Sequence, residues 1–331
     1  MPTKRLHKSE YLDGIENGNR LILSRAITLI ESKRKEDQEL SKEILDSIVT
    51  NKTSSVRIGI TGVPGVGKST FIESFGSYLT NKLNKKTAVL SIDPSSQISK
   101  GSILGDKTRM ERLSKNPRAF IRPSATGNSL GGVGAKTYEI IRLCEAAGFE
   151  IVLVETVGVG QSETVVKGMV DFFLLLMITG AGDDLQGIKR GIMEMADMIA
   201  ITKADGNNLE KAQRTKTELK SALHFFPPKE NNWLTDVEVC SALKGTNIES
   251  IWDNIDNFKK QMLANDWLIK NRKNQALQWM HNTIQSVLKE EFYSSQEIKK
   301  ELENTELQVE NGELSALTAA KKLLALFMKE A

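Results

Sequence analysis

The apolar run Val56 to Ile60 leads directly into Thr61-Gly62-Val63-Pro64-Gly65-Val66-Gly67-Lys68-Ser69-Thr70. From Gly62 the spacing is G-x-x-x-x-G-K-S, which commits this part of the chain to a strand, a tight glycine-rich loop and a helix. Such a loop turns successive backbone N–H groups toward a phosphate chain, and the helix behind it adds the positive end of its dipole. Lys68 contributes a point charge, and the Ser69 hydroxyl is placed to bind Mg²⁺. Val56–Ile60 therefore reads as the strand and Ser69–Leu83 as the helix. Gly62, Val63, Pro64, Gly65, Val66, Gly67, Lys68, Ser69 and Thr70 are the expected binding residues of a nucleoside triphosphate.

Further apolar runs follow at strand length: Thr87–Ile92, Ala119–Arg122, Ile151–Glu155, Phe172–Ile178, Met198–Thr202 and Val237–Cys240. Several are continuous rather than alternating, the pattern of strands covered by helices on both faces. Strand–helix repetition predicts an α/β fold, a P-loop NTPase with a doubly wound, mostly parallel sheet. Residues 1–53 carry helical periodicity broken by a charged stretch from Glu31 to Glu39, and are expected to form an N-terminal helical extension. Residues 54–260 form the expected nucleotide domain. From 261 to 331 apolar residues recur at helical spacing, among them Leu277, Met280, Ile284, Val287 and Leu288. That C-terminal helical region must cover either its own domain or a second subunit, and is expected to serve dimerisation.

Composition narrows the partners. Over 331 residues the net charge is +3, too small to argue for nucleic acid or an anionic membrane. The longest apolar stretch, Phe172–Ile178, cannot span a bilayer, and the polar N-terminus lacks an apolar h-region, so a cytoplasmic protein is expected. Cys144 and Cys240 lack metal-ligand spacing and read as buried thiols.

Two later segments bear on which base is bound. Ile199-Ala200-Ile201-Thr202-Lys203-Ala204-Asp205 is an apolar strand ending in T-K-x-D. In the N-K-x-D of G proteins the carboxylate accepts from guanine N1–H and the exocyclic amine, a donor pair that adenine lacks. Asp205 is therefore expected to select guanine, with the Lys203 stem along the ring plane. Thr202 stands where Asn is usual, which removes a side-chain amide. Ser241-Ala242-Leu243-Lys244 follows the strand ending at Cys240 and matches the S-A-x-K loop whose backbone meets the guanine carbonyl. Ser241, Ala242 and Leu243 thus join Thr202, Lys203 and Asp205 as base contacts, for GTP and GDP.

The catalytic metal needs oxygen ligands. Besides Ser69, Glu155 closes the strand from Ile151 at the Walker B position, and Gly158 would approach the γ-phosphate with its N–H. Asp93, at the end of Val89–Ile92, occupies a strand terminus where open sheets bind ligands. Asp106 and Arg109 lie in a following loop, and without further context read equally well as solvated residues.

These residues resemble those of a known family, the GTPases associated with cobalamin-dependent mutases, called MeaB or ArgK in bacteria. The likeness runs through Thr61–Thr70, Ser91–Ser96, Gly101–Met110, Glu155–Glu163 and Gly180–Gly191. It implies a homodimeric GTPase that acts as a chaperone toward methylmalonyl-CoA mutase or a related adenosylcobalamin-dependent acyl-CoA mutase. GTP binding and hydrolysis would gate cofactor loading and the exchange of damaged cofactor. The resemblance makes Asp93, Asp106 and Glu155 the metal-site acids, and the Gly180–Gly191 segment a switch with Asp183 and Lys189 as polar actors. Lys189 is the better candidate for a partner-positioned cation during hydrolysis; Gln161, near a water-orienting position, reads more simply as a polar loop residue.

Two other classes share the motif. A P-loop kinase would phosphorylate a protein or small molecule with ATP, which Asp205 argues against. A metallochaperone GTPase would carry His- or Cys-rich tracts, whereas His7, His224 and His281 lie far apart.

Overall fold

The computed structural model describes residues 5–48, 55–92, 110–124, 130–156, 162–179 and 190–330. The chain divides into two compact units, Met1–Ala276 and Leu277–Ala331. The first unit opens with helices α1 (Lys8–Glu16), α2 (Arg20–Glu31) and α3 (Lys35–Ser47). The Asn19 side chain starts α2 by accepting from Leu21 N at 3.0 Å and Ile22 N at 3.2 Å, satisfying two of the free donors of a helix start. Ser32 to Arg34 form the break within the charged stretch, and α3 begins at Lys35.

The sheet comprises β1 (Val56–Gly62), β2 (Thr87–Ile92), β3 (Ala119–Ser124), β4 (Ile151–Thr156), β5 (Phe172–Met177), β6 (Met198–Ile201) and β7 (Asp236–Val239). Their order is β3-β2-β4-β1-β5-β6-β7, and every pairing among the described strands is parallel. Each run read as a strand in the sequence is one. The reason is visible in the burial: β1, β4 and β5 are buried along their whole lengths, so their positions are apolar or small except where a buried polar partner is supplied, as at Arg57 and Glu155. The connecting helices are α4 (Lys68–Asn81), α5 (Glu111–Lys115), α6 (Leu130–Ala146), α7 (Ser162–Lys167), α8 (Arg190–Met195), α9 (Leu209–Leu223) and α10 (Ile248–Ala264).

On one face Ile58 and Ile60 of β1 pack with Phe71, Ile72 and Phe75 of α4 and with Ile255 and Phe258 of α10. On the other, Leu175 and Met177 of β5 meet Met193 of α8 and Ala212 and Leu219 of α9. The chain leaves the centre for β2 and β3 on one side, returns through β4, and completes the other side with β5 to β7. The carboxyl end of β1 therefore lies where strand order reverses, the position at which open sheets bind ligands.

The amino ends of the strands hold buried ion clusters. Arg57 of β1 donates to Glu145 of α6 through Nε and Nη2, both at 2.8 Å. Asp171, just before β5, accepts from Arg57 N at 2.9 Å and from Arg272 Nε at 2.8 Å. Burial by itself would push the Asp171 carboxyl up, but Arg272 and Arg57 outweigh it and hold it below the usual carboxylate range. Asp197, before β6, takes Lys167 Nζ at 2.6 Å and Lys229 Nζ at 2.9 Å. Cys144 and Cys240 are free and buried, and burial pushes the Cys240 thiol up to about 12, so neither behaves as a reactive thiolate.

Helix α11 spans Trp267–Ser294, followed by α12 (Gln296–Glu310) and α13 (Ala316–Glu330). In the second unit α12 and α13 pair, with Lys322 Nζ 2.6 Å from Glu301 Oε1 and Phe292 5.3 Å from Phe327 between ring centres. A cavity of about 610 Å³ lies there, lined by Phe292, Tyr293, Leu302, Thr305, Leu323 and Leu324 among others. Leu277, Met280, Ile284, Val287 and Leu288 are exposed. Among the described residues no helix is long and apolar enough to cross a membrane.

Candidate functional site

The glycine-rich loop leaves β1 at Gly62 and enters α4 at Lys68. A Cβ on Gly62 would stand 2.5 Å from the Leu176 carbonyl oxygen. That oxygen belongs to β5, which pairs with β1 at this register, so it cannot give way. Gly67 precedes the helix at φ 95°, a left-handed conformation that side chains disfavour. The two glycines thus have separate reasons: close approach of backbone at one, helix entry at the other.

Three side chains hold the loop's carbonyls. Lys68 Nζ donates to Gly62 O at 2.7 Å, Lys203 Nζ to Gly65 O at 2.8 Å, and Thr202 Oγ1 to Val66 O at 2.7 Å. With its carbonyls tied back, the loop keeps its N–H groups available to an anion. Burial holds the Lys68 ammonium below the usual lysine range, while Glu155 and Glu163 offset part of that effect. Glu163 is buried on α7, and the sequence marks it only as the last residue of the Glu155–Glu163 stretch.

Thr202 does more than the sequence suggested. Read as the loss of an amide, its hydroxyl is buried and lies within reach of both Val66 O and Met177 O, the latter at 3.2 Å. A hydroxyl at this position therefore joins the T-K-x-D turn to the phosphate loop. Lys203 adopts φ 56°, uncommon for a side-chain-bearing residue. That conformation carries its exposed ammonium over the loop.

Asp205 and Ser241 come together although they lie far apart in the chain. Ser241 Oγ donates to Asp205 Oδ2 at 2.5 Å. Ser241 is fully buried and pairs with Thr246 through both backbone groups, at 3.2 and 3.1 Å. Ala204 N donates to Cys240 O at 3.0 Å, so the ends of β6 and β7 are joined. Ala242 and Leu243 form the tip of that turn, with Leu243 exposed.

Glu155 is buried near the end of β4, in register with Ser91 and Ile60, and its Oε2 accepts from Ser91 Oγ at 3.3 Å. Beside it Thr156 Oγ1 donates to Thr61 Oγ1 at 2.8 Å, fixing β4 to β1 next to the loop. Ser69 follows Lys68 in the first turn of α4. Asp93, Asp106, Arg109, Gly158, Gln161, Asp183 and Lys189 lie outside the described residues. Among the described residues no group of three or more His, Cys, Asp or Glu could hold a metal ion.

The arrangement gathers a glycine-rich loop, the Lys68 cation, the buried Glu155 carboxylate and the Asp205–Ser241 pair at the carboxyl ends of the strands. Comparison with known proteins extends this. Residues 23–297 match the family described as Methylmalonyl Co-A mutase-associated GTPase MeaB. The chain is 42% identical to the GTPase ArgK of Escherichia coli, covering 95% of each sequence. It is 44% identical to the mouse protein named Methylmalonic aciduria type A homolog, mitochondrial, over 95% of this chain and 78% of that one. A solved structure described as an LAO/AO transport system kinase superposes with a TM-score of 0.77 at 35% identity, covering 98% of this chain and all of the other.

Proposed function

The chain belongs to the MeaB family of methylmalonyl-CoA mutase-associated GTPases, and we propose that it spends GTP to gate adenosylcobalamin loading and protection of that mutase or a related acyl-CoA mutase. It is a GTPase. The observation that carries the reading is the wiring of its base-side turn to its phosphate loop, through Thr202 to Val66 and Lys203 to Gly65, with Asp205 braced by Ser241. A site built this way reads both ends of one nucleotide, as a guanine-specific switch must. Adenine offers no donor pair for Asp205, so the kinase reading has no specific support at this site.

In this account the backbone N–H groups of the Gly62–Thr70 loop, Pro64 excepted, hold the phosphates, and Lys68 leaves Gly62 O to meet them. Asp205 takes the guanine donors while Lys203 lies along the base and the Ala242 and Leu243 backbone meets its carbonyl. Ser69, Asp93, Asp106 and Glu155 would hold Mg²⁺; the donors are all oxygens, which suits a hard cation that keeps several of its waters. Bound there, the ion would neutralise charge on the β- and γ-phosphates. Gly158 would donate its N–H to the γ-phosphate. Hydrolysis without a partner is slow in this reading, because Lys68 alone, with no second cation from the described residues, meets the developing charge.

Lys189 supplies that cation once the mutase is bound. Adding the mutase should therefore raise GTP turnover, and Lys189→Ala should remove the increase, on the order of 10², a typical effect of deleting one group that stabilises transition-state charge. GDP affinity should stay within about twofold, since the interaction is made only in the transition state. Stimulation of Lys189→Ala equal to wild type would show that the residue plays no such part.

We read the working form as a cytoplasmic homodimer assembled through the C-terminal helices. Its support is the row Leu277, Met280, Ile284, Val287 and Leu288, exposed on α11 at helical spacing. Replacing Ile284 and Leu288 together by Glu should bring the light-scattering mass down to that of one chain; an unchanged dimer mass excludes this face.

A further inference from the structure

Asn208 belongs to no nucleotide-binding motif, yet it joins two strands' ends at the site. Its Nδ2 donates to Lys203 O at 2.8 Å, and its Oδ1 accepts from Thr179 Oγ1 at 2.7 Å. Lys203 O can only accept and the Thr179 hydroxyl can donate, so the orientation of the amide is fixed by its two partners. Asn208 N also donates to Asp205 O at 3.1 Å. An asparagine at the start of a helix usually caps it, but this side chain makes no cap bond to α9. Its hydrogen bonds go instead to the turn that precedes it and to the segment leaving β5.

We propose that Asn208 is a positioning residue for base recognition, clamping the Thr202–Asp205 turn to Thr179 so that the Asp205 carboxylate meets the guanine edge. The clamp is needed because Lys203 holds a left-handed conformation at φ 56°, which the turn keeps only if its neighbours over-determine it. Lys203 O, at the centre of that turn, is the atom Asn208 holds. Ser241 braces the Asp205 side chain from β7, and Asn208 braces the Asp205 backbone from β5 by way of Thr179. Without the second brace the carboxylate keeps its Ser241 bond and loses its aim. The proposal rests on the reading of Asp205 as the guanine-selecting residue.

The test uses the full chain and compares GDP with inosine diphosphate, which lacks the exocyclic amine, by calorimetry. Wild type should favour GDP. Asn208→Ala should weaken GDP binding roughly fivefold to tenfold, the usual effect of one lost hydrogen bond, with a smaller loss for inosine diphosphate. The preference then narrows. Thr179→Val, which removes only the hydroxyl donor, should narrow it partway, and the double variant should go no further than Asn208→Ala alone. Thr179→Val also carries the test should Asn208→Ala fail to fold. Equal weakening of both nucleotides, or none, by these variants overturns the proposal, because a purely structural role does not discriminate between bases. Asp205→Asn serves as the control. If it abolishes the preference while Asn208→Ala and Thr179→Val retain it, the clamp alone is wrong. If Asp205→Asn leaves the preference intact, the reading of Asp205 fails and the clamp fails with it.

Discussion

Asp171→Ala should cost about 3–5 kcal/mol of stability, the range found when one member of a buried ion cluster is removed. The site explains the size. Asp171 has no exposed side-chain surface, and Arg57, Glu145 and Arg272 around it are each about 5% exposed or less. Two guanidinium groups face two carboxylates, so the cluster is neutral as it stands. Removing Asp171 leaves two buried cations against one anion and strips the partner from Arg57 N of the central strand. Urea unfolding of the variant measures the loss. A double variant, Asp171→Leu with Arg272→Leu, should recover much of it, because it removes charge in balanced pairs. A loss below about 1 kcal/mol for Asp171→Ala would contradict the assignment. The pH dependence has a definite sign. With its folded pKa depressed, Asp171 contributes its stability above the ordinary carboxylate pKa of about 4 and loses it as pH falls through the lowered value. The gap between wild type and Asp171→Ala should therefore be full at pH 7 and shrink in acid.

Lys68→Ala should leave folding nearly intact and remove GTP hydrolysis by a factor on the order of 10²–10³, the scale of losing one preorganised donor to transition-state charge. Lys68 is the first residue of α4, and its ammonium donates to the loop carbonyls of Gly62 and Val63, at 2.7 and 3.4 Å. Its ammonium already sits, partly desolvated, beside the helix N-terminus. Little reorganisation is needed to reach a phosphate, so its interaction with one is strong. Single-turnover hydrolysis measures the loss. Retention of more than a tenth of wild-type hydrolysis would place the charge elsewhere.

The sheet was legible because its strands are buried on both faces. Phe172 to Met177 and Ile151 to Val154 admit no polar interruption, and a continuous apolar run of that length beside a glycine-rich loop has few other meanings. The phosphate loop was legible for a different reason: its geometry demands glycine at Gly62 and Gly67, and those demands appear as spacing. Contacts between polar residues far apart in the chain leave no such trace. Thr202 reads in the sequence as a missing amide, whereas its hydroxyl donates to the Val66 carbonyl. Asn208 carries no sequence signal for its bonds to Lys203 O and Thr179 Oγ1. Arg272 carries no sequence signal for its partnership with Asp171, 101 residues away. Asp93, Asp106, Gly158 and Lys189 lie outside the described residues, and their roles remain those the family resemblance implies.

The ion clusters of Arg57, Asp171 and Asp197 sit where β1, β5 and β6 begin, and the residues proposed to hold the nucleotide sit where β1, β4 and β6 finish. Opposite rims of one sheet thereby answer for endurance and for turnover. A lineage of such chains can rework its reactive rim, trading clients or tempo, while the far rim keeps the scaffold standing; inherited damage should likewise sort into two kinds, chains that vanish and chains that persist but stand idle.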